Sequence, residues 1–67
     1  MYKLYDRQWS EYKEVFESLE DVKEYLADYH SIDWSGQGDI YDKTLDFLLD
    51  YGDWEIHDKD NNIIIIN

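Results

Sequence analysis

The stretch from Ser18 to His30, SLEDVKEYLADYH, constrains the fold of this chain most. Ser18 followed three residues later by Asp21 fits a capping box, in which each side chain satisfies a free backbone N–H of the other residue. Leu19, Val22, Leu26 and Tyr29 then recur at spacings of 3, 4 and 3, one face of a helix. The pattern predicts a helix from about Leu19 to about His30, whose apolar stripe has to be buried against the rest of the chain.

The flanks supply β-forming material. Tyr2 and Leu4 alternate with Lys3 and Tyr5, and Tyr12 to Phe16 is rich in β-formers, so two short strands are expected around a polar turn, DRQWSE, that carries Trp9. The loop SIDWSGQGD follows the first helix, and Asp39 is the expected N-cap of a second helix with Tyr41, Thr44, Leu45 and Leu48 on its apolar side. Gly52 stands where that helix is expected to end, in the left-handed conformation. Trp54, Ile56 and Asp58 then alternate with Glu55 and His57, KDNN reads as a turn, and Ile63 to Ile66 reads as a strand covered on both faces. These elements predict an α+β fold, a small four-stranded antiparallel sheet packed against two helices in the order ββααββ, forming a single domain over residues 1–67. A domain of this size has a thin stability margin.

Charge bounds the function. The chain carries 17 acidic residues against 6 Lys and Arg, a net charge of -11. Nucleic-acid binding rests on Lys and Arg neutralising phosphates, so direct binding to nucleic acid is disfavoured, and attachment to an anionic membrane is disfavoured for the same reason. The complementary partner is a basic protein surface; the alternative is that the acids serve solubility alone. The chain lacks Cys, so disulfides and thiolate metal sites are excluded, and no apolar run approaches the ~20 residues of a membrane span. Nor does an early apolar run resemble a signal peptide. A cytoplasmic protein is expected, including one made by a phage or plasmid inside a host cell.

Catalysis finds little support. His30 and His57 are far apart in sequence, and neither sits in a catalytic motif. The helix–loop–helix layout is that of an EF-hand, and Asp33, Ser35, Gln37 and Gly38 resemble the pattern of its loop positions 1, 3, 5 and 6, the last being the turn glycine. The twelfth position is Thr44 in place of the bidentate Glu, and a second partial match at Asp58, Asp60 and Asn62 lacks the Gly, so no calcium site and no cofactor are predicted.

What remains is the arrangement of the acids. Glu20, Glu24 and Asp28 recur every four residues, and Asp42, Asp46 and Asp50 repeat the pattern with Asp53 beyond them. The resulting four like-charged i, i+4 pairs each cost roughly 0.2–0.5 kcal/mol. The helix dipole favours Glu20, Asp21 and Asp42 but opposes Asp50 and Asp53. Placement against local stability marks a functional surface. Four residues of helix rise about 6 Å, and successive phosphates of a DNA strand advance ~3.4 Å along the axis and further along the backbone. A row of carboxylates at that rise can stand in for phosphates; the competing reading is a solvated helix face.

With these acid rows, and with Tyr29, Trp34, Tyr41 and Tyr51 among them, the chain resembles the small acidic anti-CRISPR proteins of phages that inhibit type II RNA-guided nucleases. The resemblance lies in composition and layout and rests on no diagnostic motif. It implies a non-enzymatic DNA mimic, monomeric or weakly dimeric, that occupies the PAM-reading groove of the nuclease. Acidic inhibitors of DNA glycosylases and restriction enzymes are similar in the same way, and a structural or regulatory module of a mobile element is the alternative from another class.

Overall fold

The computed structural model describes residues 1–66. Strands β1 (Tyr2–Asp6) and β2 (Glu11–Phe16) form an antiparallel hairpin, helices α1 (Leu19–His30) and α2 (Leu45–Gly52) follow, and strand β3 (Trp54–His57) returns to the sheet. The order across the sheet is β2-β1-β3, with both pairings antiparallel. The architecture is α+β, a three-stranded antiparallel sheet with two helices in the order ββααβ.

The first helix covers the predicted range, and Ser18 Oγ accepts from the Asp21 N–H at 3.2 Å. Its inner face is rotated from the predicted stripe. Val22, Leu26 and His30 are buried at spacings of four, whereas Tyr29 is half-exposed. Leu4 pairs with Ile56 and Asp6 with Trp54 across β1 and β3, which puts Leu4 and Ile56 on the face turned to the helices. With Val22, Leu26, Ile40 and Leu48 they form the core, and a fully buried side chain of this kind contributes about 1.5–3 kcal/mol.

The turn between β1 and β2 is organised by a buried acid. Asp6 Oδ1 accepts from the Gln8 N–H at 2.9 Å and the Trp9 N–H at 3.3 Å, so the carboxylate closes the turn over itself. The register shifts between Leu4 and Tyr5, leaving Lys13 as the extra residue of a bulge. Lys13 Nζ then reaches Glu11 at 2.6 Å and Asp6 at 3.9 Å.

Several expectations are corrected. The fourth strand is absent from the described residues: Ile63 to Ile66 makes one isolated bridge, Ile63 to His57, and the Ile64 N–H donates to Ile56 O at 2.8 Å. The run is not covered on both faces. Ile64 and Ile66 pack against the core, while Ile63 and Ile65 are 54% and 73% exposed. Asp39 caps a short 3-10 turn over Ile40–Asp42 rather than the second helix. Lys43 and Thr44 are then extended, and Thr44 Oγ1 caps α2 by accepting from the Phe47 N–H at 3.4 Å. Gly52 is the last helical residue, and the left-handed position belongs to Asp53, with φ of 59°. Gly52 is required for space instead, because a Cβ there would overlap the Trp54 indole and His30 Nε2. The turn after β3 behaves as predicted, with Asn61 at a positive φ of 66°.

Candidate functional site

The predicted acids separate into groups of different character. Glu20, Glu24 and Asp28 lie on the exposed face of α1, and Asp28 Oδ1 accepts a 2.6 Å hydrogen bond from the Tyr41 hydroxyl. That bond raises the Tyr41 pKa above its ordinary value. Glu24 borders two shallow depressions, one with Glu20, Lys23 and Tyr41 and another with Glu17, Asp21 and Asp28.

The second row is broken. Asp42 belongs to the 3-10 turn, and the extended residues Lys43 and Thr44 separate it from Asp46 and Asp50 on α2. The i, i+4 repulsion between Asp42 and Asp46 expected on one helix is therefore not present in that form. Asp53 is also different from the others. Arg7 Nη1 lies 3.2 Å from its carboxylate, and the Arg7 N–H donates to its carbonyl at 3.2 Å. The Arg7 pairing offsets the unfavourable dipole at the C-terminus of α2, so Asp53 has a structural role. Asp46, Asp50 and Asp53 share a groove with Arg7 and Ile66.

Compensation of charge is uneven. Among the described residues, the Lys and Arg ion pairs involve Arg7 and Lys13, which pair with Asp6, Glu11, Asp53 and Glu55. Among those described residues, Glu20, Glu24, Asp28, Asp42, Asp46 and Asp50 have no such partner.

The aromatic residues form a connected strip. Phe47 and Tyr51 stack one helical turn apart at 6.1 Å, Trp34 meets both edge-on at 5.9 and 5.4 Å, and Lys43 Nζ lies 5.4 Å from the Trp34 and Phe47 rings. Trp34 is held there by its indole N–H, which donates to Gly38 O at 3.0 Å. Tyr51 continues the strip to His30 at 5.0 Å, and Tyr29 joins His30 and Trp54 at 5.0 and 5.3 Å.

His30 was not singled out by sequence reasoning as a site residue, although the spacing Val22, Leu26, His30 marks it as inward-facing. It is 6% exposed, at the base of an open cleft of about 470 Å³ that Tyr29, Asp33, Tyr51, Asp53 and Trp54 also line. The Trp54 indole N–H donates to His30 Nε2 at 3.0 Å, which places the proton of the neutral ring on Nδ1. Burial lowers the His30 pKa, opposed by the Asp33 carboxylate. Nδ1 is buried without a hydrogen-bond partner; Asp33 Oδ1 stands 3.8 Å away, outside hydrogen-bond range. An unpaired buried donor costs about 1–3 kcal/mol.

His57 is buried on the opposite face of the sheet. Its ring stacks on Tyr5 at 4.9 Å, and its nitrogens lie 2.8 Å from the Tyr12 hydroxyl and 2.9 Å from Glu55 Oε1. Because the carboxylate only accepts, Nε2–H donates to Glu55, and Nδ1 shares a hydrogen bond with the Tyr12 hydroxyl. Both nitrogens are satisfied, so this histidine fastens β3 to β2 across β1.

The fold and surface define a small α+β protein with an uncompensated acidic helical layer. The chain matches no protein-family model, no curated protein and no solved structure. Among the described residues no group of three or more His, Asp or Glu is arranged to hold a metal ion, and no helix is long and apolar enough to cross a membrane.

Proposed function

We propose that the protein is a non-enzymatic inhibitor that binds the nucleic-acid site of a host defence nuclease by acting as an acidic DNA mimic. The favoured target is the PAM-reading groove of a type II RNA-guided nuclease, where arginines that bind guanines and phosphates would pair with carboxylates. A DNA glycosylase or restriction enzyme is the alternative target. The observation that carries the reading is the α1 row: Glu20, Glu24 and Asp28 are exposed, evenly spaced and without a Lys or Arg ion pair among the described residues. Solubility alone would be served as well by acids placed without two like-charged i, i+4 contacts on one helix.

The test begins with capture of the partner from a host lysate on the immobilised chain and its identification. PAM-containing duplex DNA is then added in competition at low and moderate salt. Mimicry predicts mutual exclusion of chain and DNA, with binding that weakens as salt rises. Simultaneous binding of DNA and chain would contradict it. The Trp34–Phe47–Tyr51 strip, in which Phe47 and Tyr51 are exposed and Trp34 is partly buried, favours a second reading, an interaction module that associates through aromatic area. That module would hold its partner, or a second copy, at high salt.

A further inference from the structure

The cleft around His30 joins aromatic walls to an incomplete hydrogen bond. Tyr29 and Trp54 stand edge to face at 5.3 Å on one side, and Tyr51 meets His30 at 5.0 Å on the other. The cleft volume of about 470 Å³ falls within the roughly 300–1,000 Å³ typical of pockets that take small ligands. His30 Nδ1 carries a proton that no acceptor takes, and Asp33 Oδ1 lies 3.8 Å from it. An inward movement of Asp33 would complete this bond. It would also bring Asp33 deeper into a cleft that Asp6 and Asp53 already line. Asp6 is held by turn N–H groups and Lys13, and Asp53 by Arg7, whereas the Asp33 carboxylate has no Lys or Arg ion pair among the described residues. Desolvation of the unpaired Asp33 carboxylate therefore opposes the movement, and a cation placed in the cleft would offset that cost.

We propose that this cleft receives an arginine side chain of the protein partner, its guanidinium lying among Tyr29, Tyr51 and Trp54 and pairing with Asp33. The chemistry selects arginine over lysine. A guanidinium is planar and weakly hydrated, stacks on aromatic rings and presents several N–H donors in one plane, whereas an ammonium is a compact, strongly hydrated charge. One Asp33 oxygen accepts from the guanidinium and the other from His30 Nδ1–H, so ligand binding and satisfaction of the buried donor occur together. The net charge of -11 draws a basic partner to the cleft. The proposal rests on the reading of the partner as basic, and it adds an arginine subsite distinct from the acid row of α1.

The probe is N-acetyl-arginine amide, titrated into isotopically labelled full-length protein and followed by NMR, with N-acetyl-lysine amide as the comparison. The expected result is saturable shifts of the Trp54 indole N–H and the His30 ring nitrogens, with arginine bound several-fold more tightly than lysine. Asp33→Asn, an exposed loop change that leaves the core intact, should weaken arginine binding by about tenfold, the loss of one charge-assisted hydrogen bond. Equal affinity for the two amides, shifts spread along α1, or an Asp33→Asn variant that binds arginine like the parent would each overturn the proposal. The mimicry reading is judged separately, by reversing charge on the α1 row. Loss of inhibition there with no saturable arginine site would remove the cleft and keep the mimic; unchanged inhibition with a saturable site would do the opposite.

Discussion

Single residues here carry tasks that their side-chain class does not advertise. Asp6 is almost fully buried in a chain crowded with acids, and it is there because its carboxylate closes the β1–β2 turn. Asp6→Ala would leave two turn N–H groups without that acceptor and should cost about 1–3 kcal/mol, measurable as a lower midpoint in urea. His30 makes stability depend on pH. Burial lowers its folded-state pKa below the ordinary 6.5 of the unfolded chain, so the unfolded state binds the proton more readily. Its contribution is therefore complete above about 6.5 and is lost as pH falls below that value. His30→Phe should flatten the slope of melting temperature between neutral pH and the region where carboxylates titrate. Asp58 acts in a lower window, because hydrogen bonds from the Asn62 and Asp60 backbones lower its pKa below the ordinary 3.8. Its stabilising effect is present above that value and is lost below it, so an unchanged slope near neutral pH in His30→Phe would show that the imidazole is not the sensor.

At the scale of elements, local signals and tertiary ones diverge. The Ser18 cap and the four-residue recurrence of Val22 and Leu26 made α1 legible within its own segment. The inward turn of His30 follows the same four-residue spacing, but Tyr29 one position earlier offers an equally apolar stripe, so the segment by itself does not choose between them. Asp39 and Thr44 both offer cap oxygens, and the choice between them depends on Ile40 entering the core, a tertiary fact. The consequence reached the candidate site: the row Asp42–Asp46–Asp50 read as one helix face is split by two extended residues, while the row on α1 stayed whole. The Ile63–Ile66 run shows the same divergence. Four β-branched residues favour an extended chain, but they cannot specify how much of it finds a pairing partner. Ile64 is anchored to Ile56 and packs on the core, whereas Ile65 points away. Ile64→Ala should therefore destabilise by about 1–2 kcal/mol, below the 2–5 kcal/mol of a fully buried isoleucine, and Ile65→Ala by less than about 0.5 kcal/mol. Equal effects at the two positions in thermal melts would refute this alternation.

For the whole molecule, the sheet side and the helical side treat charge differently. Arg7 and Lys13 pair with acids near the β1–β2 turn, and the exposed acids of α1 and α2 have no Lys or Arg ion pair among the described residues. A domain with a net charge of -11 should gain stability from screening, so its melting temperature should rise as sodium chloride is raised from low to moderate concentration. A melting temperature that is flat or falls with salt would mean that the charges are better compensated than their contacts indicate. The direct test of mimicry is DNA binding by the captured partner, measured with the parent chain and with Glu20→Lys, Glu24→Lys and Asp28→Lys combined. Each reversal adds two positive charges, taking the net charge from -11 to -5. The change leaves Val22 and Leu26 untouched, and placing Lys near the N-terminus of α1 costs about 0.3–1 kcal/mol. Because Asp28→Lys also removes the Tyr41 hydrogen bond, the Glu20→Lys, Glu24→Lys double variant is measured beside it. The account predicts that both variants fold, by melting curve and circular dichroism, and no longer displace DNA from the partner at moderate salt. Folded variants that displace DNA as well as the parent does would contradict it.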